Sequence, residues 1–594
     1  MPPRAVPLDE FLGGGELRGA AIRPDGREIL MVLRGPDGWS LATLPSEGGE
    51  PRRLPSDPPL AGERLLALSP RGDTVLFRRP LARQGEAAVL ALRQGSGRVL
   101  DLTIPGTGRA RLLGWSSGGS GVLLESDEIQ SGRRDVVEVR LDDLSHALRL
   151  SNDLDLRLGP LSPDGRSLAV AATDPALGPG IGILDLASGS IREAGVADES
   201  RGWLLPQAFT ADGRALVAFD ARARPYRTVR VLLENGRRSP VETPCDDPLG
   251  FQISPAGRFA LWTCRSAEQT ALVLTDLATG ARHAPPLPRG IAPRAIRFST
   301  DDRTLLIEAG GPTHGDDLFL WLPDLPTDRQ LTYLVDPRLE ADDLVVPVPF
   351  ALPGGGSARV TAAELRPRRD ASAARPAILL LEDADEEERM GPPVFQPLAQ
   401  YFANHGHRVL HLAWRAPGPQ RPPASDSPTG SADEAEKESL LAVLSSLGRT
   451  STGAVLLGHG RRSAGLALLA AARPNAAWSA VGAVLPGRST IAPPIGDGRV
   501  ASAAMGDRRP PPDWIDALPE PRPGTRLLVV SCDADALLPQ LDRDRLLAKL
   551  TRAGVPPILE LERGDAACLE RPEARESAWS AVARFARAAG TPAP

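Results

Sequence analysis

Lysine is all but missing from this chain. Lys437 and Lys549 are the only two, so almost all of the 69 basic residues are arginine. That leaves almost no candidate for a Schiff-base or lysine-nucleophile mechanism. Histidine (7), tyrosine (3) and cysteine (4) are also scarce among the 594 residues. Cys245, Cys264, Cys532 and Cys568 are scattered, with no CxxC and no Cys/His cluster, which argues against a zinc site. Four cysteines in so long a chain do not make a disulfide scaffold, and they are expected to be small buried hydrophobes. The longest apolar run, Ala464 to Ala472, is too short to span a bilayer. The formal net charge of −6 argues against a general nucleic-acid binder. The opening MPPRAVPLDEFLGGG has no apolar stretch of the secretory kind and carries Asp9 and Glu10, so a cytoplasmic protein away from membranes is expected.

Glycine (59) and proline (60) are abundant instead, and in the first half they fall at regular intervals. Arg23-Pro24-Asp25-Gly26 precedes the apolar run EILMVL, Ser69-Pro70-Arg71-Gly72 precedes TVLF, and Ser162-Pro163-Asp164-Gly165 precedes SLAVAA. Thr210-Ala211-Asp212-Gly213 and Ser254-Pro255-Ala256-Gly257 continue the series, with worn copies at Ser116 to Gly119 and Ser299 to Asp302. At the glycine position the copies sit at 26, 72, 119, 165, 213, 257 and 302, a period near 46. Asp-Gly supplies the positive φ that a two-residue hairpin turn needs. Segments such as GIGILDLASGSIRE add a second strand pair, and four strands per repeat make a propeller blade. The spacing predicts seven blades over residues 16–335, after an N-terminal segment at 1–15.

Beyond Tyr333 the repeat stops. Short apolar strands alternate with helices: AILLL (377–381), HRVLHLAW (407–414), AVLLG (454–458) and RLLVVS (526–531), with helices near 395–404, 435–447, 463–472, 542–553 and 573–589. This is the pattern of a doubly wound, mostly parallel sheet over 336–594, with a long polar surface loop at 416–436.

A propeller followed by such a domain resembles the prolyl oligopeptidase family of serine peptidases across essentially the whole chain. The opening VPLDEFLGGGELRGAAIRPDGREI, the stretch AARPNAAWSAVGAVLPG, Met505-Gly506 and the C-terminal RPEARESAWSAVARFARAAG carry the resemblance. It implies a seven-bladed β-propeller capping an α/β-hydrolase domain, with ligands meeting the chain in the cavity between them.

The α/β-hydrolase nucleophile occupies a strand-to-helix elbow, G-x-S-x-G. Here the elbow reads Gly458-His459-Gly460-Arg461-Arg462, so glycine holds the nucleophile position and no acyl-enzyme can form there. The resemblance puts the acid at Asp535 and the histidine at Ala567, and no histidine follows His459. Where the family carries His-Gly-Gly-Pro, this chain has Glu382-Asp383-Ala384-Asp385 and then three glutamates, which would repel an oxyanion. Ser463, Cys568 (with Cys532 beside Asp535) and His459 are the available substitutes: a shifted elbow serine, a cysteine nucleophile, and an acid–base group. Glu382, Asp383, Asp385 and Asp535 have no spacing of a calcium loop, and pairing of the acidic run with Arg461 and Arg462 across adjoining loops is the expected arrangement. No cofactor or metal is expected. The sequence thus points to a peptidase-like protein without hydrolase chemistry, binding a peptide or small molecule between its domains or serving as a scaffold for a protein partner. The alternative is an active hydrolase, or a non-hydrolytic enzyme, with relocated residues.

Overall fold

The computed structural model describes residues 4–589 except 36–37, 61, 81–86, 105–106, 129–133, 155, 172–180, 195–203, 221–225, 266–269, 326–327, 353–359, 368–374, 385–394, 416–439, 448–452, 473–477, 485–517, 519, 523, 534–539 and 564–567. The loop expected at 416–436 and the Met505-Gly506 pair therefore lie outside the described residues.

Each repeat folds as four consecutive antiparallel strands, giving seven blades. The first runs Glu16–Ile22, Glu28–Gly35, Gly38–Pro45 and Arg52–Leu54; the seventh runs Ala292–Phe298, Leu305–Gly311, His314–Trp321 and Asp328–Gln330. The repeat turn works through its side chains. In the fourth blade the Ser162 hydroxyl donates to Asp164 (2.6 Å) and accepts from the Ser167 amide (2.9 Å), while Asp164 also accepts from the Arg166 amide (3.1 Å). Gly165 bonds back to the Ser162 carbonyl at 2.9 Å and has φ +69°. The turn is therefore a four-residue loop closed by one left-handed glycine, not the two-residue turn expected from the Asp-Gly pair. The aspartate serves as a cap, and only the glycine needs positive φ.

The two worn copies keep the positive φ at the end of the turn. Gly119 has φ +70°, with Gly118 before it left-handed as well (φ +80°), and Asp302, standing where the other blades have glycine, has φ +58°. Asp302 is fully buried and hydrogen-bonds Ser254 Oγ and the amides of Ala256 and Arg258 in the preceding blade. It supplies across the blade boundary the carboxylate that Ala256 cannot.

Hydrophobic cores lie between blades, since each sheet buries both faces against its neighbours. The last closes the ring: Leu17, Ile22, Ile29 and Met31 of the first blade pack on Leu306, Leu318 and Leu320 of the seventh. No strand is exchanged across that seam, because both terminal blades are made of consecutive strands. Side chains fasten it instead, with Glu308 accepting from the Ala20 amide (2.9 Å) and Thr300 donating to the Pro24 carbonyl (2.7 Å).

The second sheet has eight strands: β1 (Val348–Pro349), β2 (Val360–Leu365), β3 (Ile378–Ala384), β4 (Val409–Arg415), β5 (Val455–His459), β6 (Ala480–Val484), β7 (Arg526–Cys532) and β8 (Ile558–Glu562). Their order is β1-β2-β4-β3-β5-β6-β7-β8, parallel from β4 onward. One face packs on helices α1 (Leu8–Leu12), α2 (Pro397–Asn404) and α5 (Pro572–Ala588) through Phe11, Phe402, Trp579 and Val582. The other packs on α3 (Arg461–Ala471), α4 (Gln540–Arg552) and helical residues 440–447 through Leu444, Leu466 and Leu546. The N-terminal segment docks here, its Val6 amide donating to Asn404 Oδ1 (3.1 Å) and Phe11 meeting Tyr401 edge-on.

The cysteines depart from expectation. Cys264, Cys532 and Cys568 are buried and Cys245 is partly buried, but all four are paired, Cys245 with Cys264 and Cys532 with Cys568. The pairs have Cα separations of 6.1 and 6.0 Å, within bridging range, although 19 and 36 residues of chain separate them. No helix among the described residues is long and apolar enough to cross a membrane.

Candidate functional site

The site expected from the elbow lies at the C-terminal edge of the parallel strands, where β3 and β5 run side by side and Glu382 is in register with His459. Glu382 and Asp383 belong to β3, which continues to Ala384 instead of ending in a loop at Leu381. Strand alternation sends them to opposite faces.

On the face covered by α5, Glu382 meets two imidazoles. His411 Nε2 of β4 is 2.9 Å from Glu382 Oε2, and His459 Nδ1 is 3.3 Å from Oε1. Burial opposes ionisation of Glu382, but the two histidine hydrogen bonds outweigh it and hold the carboxyl well below the usual range. An ionised carboxylate only accepts, so both imidazole nitrogens facing it donate. His459 also packs edge-on against Trp579 of α5, with ring centroids 4.8 Å apart, and its side chain keeps 33% exposure. His411 is the member of this group that reading the sequence misses. Its only signal there is a histidine inside the apolar strand HRVLHLAW.

On the opposite face Asp383 caps α3. Its Oδ1 accepts from the Ser463 amide (2.9 Å) and the Ser463 hydroxyl (2.7 Å). A carboxylate there satisfies an amide of the first helical turn and complements the helix dipole. Ser463 itself is fully buried.

Gly460 precedes the helix with φ +92° and ψ 162°, a conformation essentially reserved for glycine. A Cβ built there would lie 2.7 Å from Asp383 Oδ2 and 2.8 Å from its Cγ. The space into which an elbow nucleophile would project is thus filled by Asp383. Gly458 is needed for packing, since its Cβ would lie 2.3 Å from the Ser463 carbonyl oxygen.

The side chains of Arg461 and Arg462 lie outside the described residues, as do Asp385, Asp535 and Ala567. The pairing expected between the acidic run and those arginines therefore falls outside the described residues; within them Glu382 bonds His411 and His459, and Asp383 bonds Ser463. Cys568 is bonded to Cys532 and so is no free thiol. That bond joins the end of β7 to the short helix before α5, the two segments from which the family's acid and histidine would come. Among the described residues no group of histidine, cysteine and carboxylate side chains is arranged to hold a metal.

No protein-family model matches the sequence, and no curated protein matches it either. Solved structures do. The chain is similar to a prolyl endopeptidase at 14% identity and a TM-score of 0.70, covering 98% of this chain and 90% of that one. A puromycin-hydrolyzing peptidase from Mycobacterium tuberculosis aligns at 13% identity and a TM-score of 0.67 over 100% of this chain and 98% of the other. The acylaminoacyl peptidase of Pyrococcus horikoshii aligns at 11% identity and a TM-score of 0.57, over 98% and 97%. Repeat, blade count, sheet order and these alignments agree: the chain has the fold of the prolyl oligopeptidase peptidases, a seven-bladed propeller joined to an α/β-hydrolase domain.

Proposed function

We propose that this protein is a prolyl-oligopeptidase-like chain that has lost serine-peptidase chemistry and works by binding a peptide or small molecule between its two domains. The observation that carries this reading is Gly460: the nucleophile position has no side chain, and Asp383 occupies the space a side chain would need. A carboxylate in that place also opposes the negative charge of a tetrahedral intermediate. Incubation with chromogenic peptide amides and aryl esters is expected to show no hydrolysis above buffer. Turnover that survives re-purification would overturn the reading.

A second reading rests on Glu382. By fixing His459 with Nδ1–H toward the carboxylate, it leaves Nε2 as the basic nitrogen, the arrangement of an oriented acid–base group. On that reading His459→Gln abolishes non-hydrolytic turnover while Gly460→Ser leaves it; turnover that persists in His459→Gln would sink it. A cytoplasmic location belongs among these proposals, and the two disulfides weigh against it, because cytosolic thiols are usually kept reduced.

A further inference from the structure

One buried carboxylate stands where the chain leaves the propeller for the hydrolase domain. The seventh blade ends with the strand Asp328–Gln330, and residues 331–347 then lead to β1. The chain that enters the propeller runs beside this exit: a Cβ built on Gly14 would lie 2.5 Å from the Leu334 carbonyl oxygen. The exit is pinned by Asp317, on the third strand of the seventh blade and only 3% exposed. Its Oδ1 accepts from the Thr332 hydroxyl (2.8 Å) and the Leu334 amide (2.9 Å), and its Oδ2 from the Gln330 carboxamide (3.2 Å). Thr332 Oγ1 in turn accepts from the Leu318 amide at 2.9 Å. One side chain thus gathers Gln330, Thr332 and Leu334 of the outgoing segment.

All three donors are neutral, so nothing bonded to Asp317 among the described residues carries a compensating charge. Its strand neighbour Asp316 adds a second negative charge. Burial outweighs the three hydrogen bonds and, with the charge of Asp316, pushes the Asp317 carboxyl up to about 6. Asp317 shares its strand face with Phe319 and Trp321, whose core with the sixth blade is apolar (Phe259, Leu261 and Leu274). Other charged groups act at one remove. Arg294 pairs with Asp316 at 2.9 Å, and Glu308, Glu16 and Arg64 also act on Asp316. Beyond the segment, Asp336 is paired with Arg338 at 2.7 Å. His314, on the same strand, is lowered by burial, so charging it would loosen the strand as pH falls, the opposite sign to Asp317.

We propose that Asp317 is a proton-sensitive pin on the crossing between the domains: neutral, it holds segment 330–334 on the seventh blade, and ionised, it lets that segment open. Released into water, the carboxyl returns to its ordinary value near 3.8. Between that value and the folded one the closed segment holds a proton that the open segment has lost, so closure weakens as pH rises. Opening is expected to be about tenfold more frequent at pH 7.5 than at pH 5. Hydrogen–deuterium exchange of the full chain tests this, read by mass spectrometry on the peptide covering 330–334 and corrected for intrinsic chemical rates. Wild type should lose protection about tenfold at the higher pH. Asp317→Asn keeps an oxygen for Thr332 and Leu334 but cannot ionise, so its protection should be equal at both. Asp316→Asn removes only the neighbouring charge and should keep a fall of reduced size. Wild-type protection that is flat, or that rises with pH as titration of His314 would make it, overturns the proposal, whether or not Asp317→Asn folds. A fall that Asp317→Asn retains, or that Asp316→Asn abolishes, belongs to another group and overturns it as well.

Discussion

At the residue scale, the chemistry of the elbow turns on one glycine and the carboxylate beside it. Gly460→Ser is the substitution that sequence reasoning alone suggests for restoring a nucleophile. Its backbone conformation and the 2.7 Å approach to Asp383 make it a poor one. The variant is expected to lose about 1–3 kcal/mol in chemical denaturation and to gain no esterase activity. The glycine was legible in the sequence, because an elbow motif has a fixed spacing. The reason it is tolerated was not, since only the fold brings Asp383, 77 positions earlier, onto the helix that follows it. The same holds for Glu382 and His411. Residue types in a strand do not announce that three neighbouring strand ends will place a carboxylate between two imidazoles.

At the scale of elements, the turns and disulfides show where sequence periodicity informs and where it stops. The Ser-Pro-Asp-Gly spacing named the blades because each residue type answers a local need: a hydroxyl for the hairpin amide, a carboxylate for the turn, a positive φ at its end. The borrowing of Asp302 by the preceding blade is a tertiary exchange that no local pattern records. Asp302→Ala leaves the Ser254 hydroxyl and two amides without their carboxylate, and a loss of about 2–3 kcal/mol in urea unfolding is expected. Ala256→Asp in that background should return part of the loss by rebuilding the turn's own cap. Cysteine pairing was likewise hidden by separations of 19 and 36 residues. Native protein should show no thiol reactive toward Ellman's reagent, even in denaturant. Cys532→Ala with Cys568→Ala should lower stability by about 2–4 kcal/mol, as expected for opening a loop of this length.

At the scale of the whole molecule, the part-buried ion pair of Arg575 with Glu16 joins the two domains, and the N-terminal segment is fastened to the hydrolase domain by Arg4, which joins Glu10 and Asp343 (2.8 and 2.9 Å). Burial opposes ionisation of Glu16, but Arg18, Arg575 and Arg34 outweigh it and hold its carboxyl down to about 2. A carboxylate whose folded pKa is depressed binds fewer protons folded than unfolded. Its contribution is complete above the ordinary value near 4.5 and is lost as pH falls toward 2. Thermal unfolding of wild type should therefore weaken between pH 5 and pH 3 more steeply than that of Glu16→Gln, with a difference of at most about 3 kcal/mol. An identical acid limb in the two proteins would contradict the ion-pair assignment.

The central claim is that the elbow offers no nucleophile, and covalent labelling tests it most directly. Purified full-length protein treated with an excess of a fluorophosphonate probe and digested for mass spectrometry should carry no label on any serine, Ser463 included. Its hydroxyl is buried on Asp383, with no imidazole among its hydrogen-bond partners. Stoichiometric labelling of a single serine would contradict the claim and restore this chain to the hydrolases whose fold it shares.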